Sequence, residues 1–170
     1  MEANVRFTNC EFSGNSASRG AAVAIADGAS PVFDKCDFYS NSADKGGGLY
    51  LDGDSRCSVR DSAFVHNSAL EGGALYATHL ARPSLYNSTL QNNSATLVGG
   101  AIAIDEEASI ALQGCALFFN RAERGGGALV SLAPDPSSFR GPHSSFPVWA
   151  SASVNDTHFG FNTAAKGAGH

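Results

Sequence analysis

Apolar and polar residues alternate along this chain only in very short bursts. Cys10-Glu11-Phe12 and Val23-Ala24-Ile25 show the period of two that marks strands, and no stretch carries the 3.6-residue period of a helix. The bursts recur. The phrase Phe-x-x-Asn-x-Ala occurs at Phe12/Asn15/Ala17, Phe38/Asn41/Ala43, Phe64/Asn67/Ala69 and Phe159/Asn162/Ala164. Leucine replaces the lead residue at Leu90/Asn93/Ala95 and Leu117/Asn120/Ala122. The lead residues are separated by 26, 26, 26, 27 and 42 positions. After each Ala comes a small-small-small-apolar phrase: Gly20 to Val23, Gly46 to Leu49, Gly72 to Leu75, Gly99 to Ile102 and Gly126 to Leu129. A sixth begins at Gly167-Ala168-Gly169.

Aligning the six units produces columns of like residues. Five positions before the lead residue stand Phe7, Phe33, Val59, Leu85, Leu112 and Val154; two before it stand Cys10, Cys36, Ser62, Ser88, Cys115 and Thr157. Short strands every 26 residues, with no helical segment between them, leave no room for βαβ crossovers. Each unit must coil once and return beside itself, so that every strand pairs with its equivalent one coil on. The expected fold is therefore an all-β, right-handed parallel β-helix of about six coils, the hand following from the rule for parallel crossovers. Phe12, Phe38, Phe64, Leu90, Leu117 and Phe159 become a core ladder at about 4.8 Å spacing. Asn15, Asn41, Asn67, Asn93, Asn120 and Asn162 become a structural ladder at a bend, where Asn tolerates left-handed backbone and its amide can bond to turn backbone or to the next Asn. Gly-Gly supplies positive φ or close backbone approach at another bend.

The two phrases together resemble the paired repeat motifs of the chlamydial polymorphic outer membrane proteins. Strict Gly-Gly-Ala-apolar matches lie at Gly72 to Leu75, Gly99 to Ile102 and Gly126 to Leu129; strict Phe-x-x-Asn matches begin at Phe12, Phe38, Phe64 and Phe159. That resemblance implies a surface-displayed β-helix of the adhesin type. It covers nearly the whole chain apart from roughly residues 132–150. Phe7 is already a core-column residue and the sixth glycine phrase is incomplete, so residues 1–170 are expected to be one β-helix segment of a longer protein, since solenoid ends need polar caps.

The 42-residue step places an insertion of about 15 residues within 132–150. It holds Pro134, Pro136, Pro142 and Pro147, which oppose strand pairing, with Phe139, Arg140, Phe146 and Trp149. These four are either aromatics packed on the outer wall or a contact loop of hot-spot composition.

Charge and composition narrow the function classes. A net charge of −5 with scattered Lys and Arg excludes the clustered basic face that nucleic acid requires. No apolar run reaches the ~18 residues of a membrane span, and MEANVRFTNC has no leader-like apolar region. No cofactor is expected. The expected partners are other protein chains or further coils of the same chain, together with surface glycans, at an extracellular or cell-surface location.

Because many parallel β-helices act on polysaccharides, carboxylate clusters have to be weighed. Asp52, Asp54 and Asp105-Glu106-Glu107 fall near the turn after the glycine-phrase strand, with Asp27 in the first coil, but Thr78-His79 interrupts the column between them. A solvated turn and a catalytic or metal-binding row both fit. His66 and His158 are expected to face water. Cys10, Cys36 and Cys115 read as small buried filler in an inward column; only Cys10 and Cys36 lie in adjacent coils, where a disulfide is geometrically permitted. Three N-glycosylation sequons start at Asn87, Asn92 and Asn155. The reading is a non-catalytic adhesin or structural scaffold, with a polysaccharide lyase or epimerase as the alternative.

Overall fold

The computed structural model describes residues 5–131 and 150–165. Each of the first five coils contains four short strands; in the first they are β1 (Arg6–Thr8), β2 (Glu11–Ser13), β3 (Ser16–Arg19) and β4 (Val23–Ile25). Each heads a parallel sheet running up the stack. The sheets headed by β1, β2 and β3 have six strands and that headed by β4 has five. The chain thus makes five full turns and part of a sixth, with every pairing parallel. The register follows the repeat: Phe12 lies beside Phe38, Phe38 beside Phe64, Phe64 beside Leu90, Leu90 beside Leu117 and Leu117 beside Phe159. The sixth coil resumes in register after residues 132–149, with Leu112 opposite Val154.

Inside the cylinder the lead residues stack face to face. Ring centroids of Phe12 and Phe38 are 4.9 Å apart, those of Phe38 and Phe64 4.4 Å. A second stack, Phe7 on Phe33 at 5.1 Å, meets the first edge-on. Burial is complete for Phe38, Phe64, Leu90 and Leu117, whereas Phe159 in the sixth coil is 47% exposed.

The Asn ladder has a definite chemistry. The backbone N–H and side-chain amide of Asn41 both donate to Oδ1 of Asn67, at 3.0 and 2.9 Å, and the amide also donates to the Phe12 carbonyl. Asn67 repeats this toward Asn93 and Phe38, Asn93 toward Asn120 and Phe64, and Asn120 toward Asn162 and Leu90. Asn15 donates in the same way to Asn41. The left-handed residue at this bend is the one before Asn: Gly14, Ser40, His66, Asn92, Phe119 and Phe161 all have φ between 52° and 65°. This corrects the expectation that Asn itself takes up the positive φ. The preceding residue turns the chain, and that rotation aims the Asn side chain inward.

The Cys/Ser/Thr column performs a parallel task at the preceding bend. Ser62 Oγ accepts the Cys36 N–H and donates to the Arg60 carbonyl; Ser88 does the same for Ser62 and Tyr86. The thiols of Cys36 and Cys115 point their weak donors at carbonyls, and all four cysteines are free. Cys57, absent from the inward column drawn from sequence, is also buried, and burial pushes its thiol up to about 12. The glycine phrase marks a contact too close for any side chain: a Cβ on Gly73 would collide with the backbone carbonyls of Gly100 and Ser94.

Candidate functional site

The sheet headed by β4 alternates in the usual way. Leu49 and Leu51, then Leu75 and Ala77, then Ile102 and Ile104 face the core, which turns Tyr50, Tyr76 and Ala103 to the outer wall. These outward residues are nevertheless buried, Tyr76 completely. The positive-φ glycines Gly20, Gly46 and Gly72 bend the chain so that the ends of the neighbouring sheet come against this wall. Arg19 lies over the Tyr50 ring, and the Lys45 ammonium sits 4.4 Å from the Tyr76 ring centroid. Tyr50 and Tyr76 stack at 5.8 Å.

From this wall a chain of hydrogen bonds runs into the following turns. Lys45 pairs with Glu71 at 3.1 Å and donates to the Tyr76 hydroxyl, which donates to Asp105 Oδ2 at 2.9 Å. The Tyr50 hydroxyl donates to Asp52 Oδ2. Beside these, His79 joins three coils: Nδ1 lies 2.9 Å from Asp52 Oδ1 in the second coil, and Nε2 lies 2.6 Å from Glu106 Oε2 in the fourth. Thr78 Oγ1 donates to the same Glu106 oxygen. The turn is unusual, since His79 and Leu80 have φ of 46° and 66°, whereas the corresponding turn of the first coil uses Asp27 and Gly28.

Electrostatics follow from this geometry. Burial raises the Tyr76 phenol, and its Asp105 acceptor adds to the effect; Tyr50 is raised by burial and then by Asp52. Burial alone would raise the Asp52 carboxyl, but the Gly53 N–H and His79 outweigh it and hold Asp52 below its ordinary value. The sign for stability is then fixed: a depressed carboxyl stabilises the fold above its unfolded-state value, and that contribution fades as pH falls through the folded value. His79→Ala is expected to lower Tm at neutral pH by a small amount, since the ring is 60% exposed, and that deficit is expected to close as pH falls through the folded Asp52 value. Thermal melts from pH 2 to 7 check this, and a deficit that stays constant into acid would contradict it.

Sequence reading treated His79 as an interruption of the acidic column, whereas the structure makes it the bridge. Asp54 and Glu107 are exposed beside it, outside these bonds. The two ring nitrogens point to carboxylates of opposite coils, Nδ1 to Asp52 and Nε2 to Glu106. Among the described residues no group of three or more His, Cys, Asp or Glu side chains is placed to hold a metal ion. His66 is exposed and packs edge-on against Tyr39, and His158 is exposed. Of the sequon asparagines, Asn87 and Asn155 are exposed and Asn92 is half-buried. Phe139, Arg140, Phe146 and Trp149 lie outside the described residues.

Comparison with known proteins adds one finding. The model of the family described as the right handed beta helix region matches residues 1–130. No curated protein and no solved structure gives a significant match. Among the described residues no helix is long and apolar enough to cross a membrane.

Proposed function

The chain belongs to the right-handed β-helix family, and from that footing we propose that it is a non-catalytic surface or extracellular β-helix, serving as an adhesin or interaction scaffold for protein chains and surface glycans. The observation carrying this reading is that the half-buried carboxylates of the β4-side wall, Asp52, Asp105 and Glu106, are spent on neighbouring groups of the wall. Asp52 holds His79, Tyr50 and the Gly53 N–H; Glu106 holds His79 and Thr78; Asp105 holds Tyr76; Lys45 holds Glu71. A general acid or base has to meet a substrate proton, and here Asp52, Asp105 and Glu106 each already have a partner from a neighbouring coil. A hollow at the first coil, lined by Val5, Phe7, Val23, Ile25 and Pro31, offers no titratable group. The alternating Phe-x-x-Asn and Gly-Gly-Ala phrases, similar to those of the chlamydial surface proteins, support display at a cell surface.

One observation favours the second reading, a carbohydrate-active lyase or epimerase. A carboxylate–imidazole–carboxylate row across three consecutive coils, next to a buried phenol with a raised pKa, is the kind of clustering that catalytic walls show. The acids Asp52, Asp54, Asp105, Glu106 and Glu107 on that wall would repel a uronate polymer, which weighs against the alternative. A panel of neutral and uronic glycans decides between them. Binding to cells or immobilised glycans, with no new reducing ends and no unsaturated product, is the expected result. Turnover that disappears in His79→Ala would establish the enzyme instead.

A further inference from the structure

The sheet headed by β1 has an outer wall that the network around His79 does not use. In the third coil its outward residues are Arg56, Ser58 and Arg60, alternating with buried Cys57 and Val59; in the fourth they are Arg82, Ser84 and Tyr86, alternating with buried Pro83 and Leu85. Ser58 lies beside Ser84 and Arg60 beside Tyr86. The ladder continues before these strands begin, because the Arg82 N–H donates to the Ser55 carbonyl just as the Ser84 N–H donates to that of Cys57. Arg56 and Arg82 are therefore in register, at about the 4.8 Å strand spacing, and both are exposed. The same bonding, from Arg56 N–H to Ala29 and from Ser109 N–H to Ala81, puts Ser30 and Ser109 at the equivalent places in the coils on either side.

Like charges directly opposite one another weaken a sheet, and nothing in the described protein offsets this pair. Among the described residues the ion pairs are Arg6 with Asp34, Lys45 with Glu71, and His79 with Asp52 and Glu106; Arg56, Arg60 and Arg82 have none. The acid nearest in sequence to Arg56, Asp54, leans over Gly28 of the first coil. Asp61 and Glu107 are exposed at the turns that bound the wall, with Lys35 in the Asp61 column. Arg60 folds back along its own strand: its Nε donates to Ser58 Oγ at 3.2 Å, and its guanidinium lies 5.6 Å from the Tyr86 ring centroid. That bond holds its charge beside Ser58, the residue that separates it from Arg56.

We propose that Arg56 and Arg82, with Ser58, Ser84 and Arg60 beside them, form a clamp for a single oxyanion, a carboxylate or sulfate group carried by an otherwise neutral surface glycan. This rests on the glycan-binding reading above and names the class of glycan. Two guanidinia side by side offer forked N–H donors that match such a group, and the serine hydroxyls add neutral ones. Beyond Tyr86 the same column continues into exposed Gln113 and Asn155, amides suited to sugar hydroxyls. Three guanidinia on two coils are too few to track a nucleic-acid backbone. The acids at the borders, Asp54, Asp61 and Glu107, repel a polymer charged at every sugar and leave room for a glycan with one acidic group.

Calorimetric titration of the full chain with sialyllactose, sulfolactose and lactose tests this. Binding of either charged sugar, with lactose at least ~10-fold weaker and affinity falling as salt rises, is the expected result; the tighter of the two names the anion. Arg56→Ser/Arg82→Ser installs the residue that Ser30 and Ser109 already place in this column. It is expected to weaken binding at least ~10-fold while Tm holds or rises, since a like-charge pair is removed. Arg121→Ser, an exposed arginine of the β3 sheet, is expected to bind as the wild type does. Lactose binding as tightly as the charged sugars, a serine pair that binds unchanged, or an equal loss in Arg121→Ser would each overturn the clamp and leave the glycan scaffold standing. Failure of all three sugars to bind would also overturn the clamp, and binding to cells then judges the scaffold separately.

Discussion

Phe64→Ala is expected to lower stability by ~3–5 kcal/mol, the usual cost of emptying a buried Phe site, while Val65→Ser changes it by less than ~1 kcal/mol. Phe64 is fully buried, stacked on Phe38 at 4.4 Å, and its ring edge fills the space that the missing side chain of Gly48 leaves open. Because the β-helix is built from nearest-neighbour coils, the vacancy would be felt on both sides: Phe38 loses its stacking partner below, and Leu90 loses an apolar neighbour above. Little relaxation can fill it, since the Gly48 backbone is held by Ala74 and cannot move inward without breaking an inter-coil hydrogen bond. Val65 sits on the outer wall, half-buried between Tyr39 and Gln91, where a hydroxyl can reach water. Urea unfolding of both variants checks the contrast. Equal midpoints would mean that the two side chains have exchanged faces.

The coil and its register were legible because a solenoid repeats its own core. A residue that must stack on its equivalent is chosen from few types, so Phe12, Phe38 and Phe64 or Val23, Leu49 and Leu75 declare themselves as columns. The wall network was far less legible, and its geometry explains why. Leu51 aligns with Ala77 and Ala77 with Ile104, so Asp52 stands in column with Thr78 and Asp105, while His79 stands in column with Gly53 and Glu106. The contact from His79 back to Asp52 is therefore diagonal, and alignment by column cannot find it. Tyr50 and Tyr76 escaped for another reason. They face outward, where a column of like residues ordinarily reflects solvent, and only the glycine bend that brings Lys45 and Arg19 over them turns that face into an interior. The left-handed backbone of Phe119 and Phe161 was hidden by the assumption that Asn supplies the left-handed residue. Once Asn41, Asn67, Asn93 and Asn120 are seen to be fully buried, the positive φ belongs to the residue before each of them, and Phe119 and Phe161 become anomalous.

The Asn ladder leads to the second large effect. Asn67→Ala is expected to cost roughly 3 kcal/mol or more, since three buried groups lose partners at about 1–3 kcal/mol apiece. The backbone N–H and amide of Asn41 lose their shared acceptor, and the Phe38 carbonyl loses its donor. Asn67→Asp should be worse at neutral pH, although it keeps the size of the side chain. The carboxylate can still accept from Asn41, but its second oxygen would face the Phe38 carbonyl and Asn93 Oδ1, two acceptors, in a site with no exposure. The sign of its pH dependence follows. An Asp that is penalised when ionised has a folded-state pKa raised above the unfolded value of about 3.9. Its destabilisation is therefore smallest at low pH, where a protonated carboxyl can donate to one of the two acceptors. It grows as pH rises above the unfolded value and levels off beyond the folded one. Denaturant midpoints of the wild type and both variants at pH 3.5 and pH 7 test this, with Asp the milder change in acid and the harsher one at neutrality. An Asp variant as stable as the wild type at pH 7 would mean that the side chain at 67 does not donate, and the direction assigned to the whole ladder would have to be reversed.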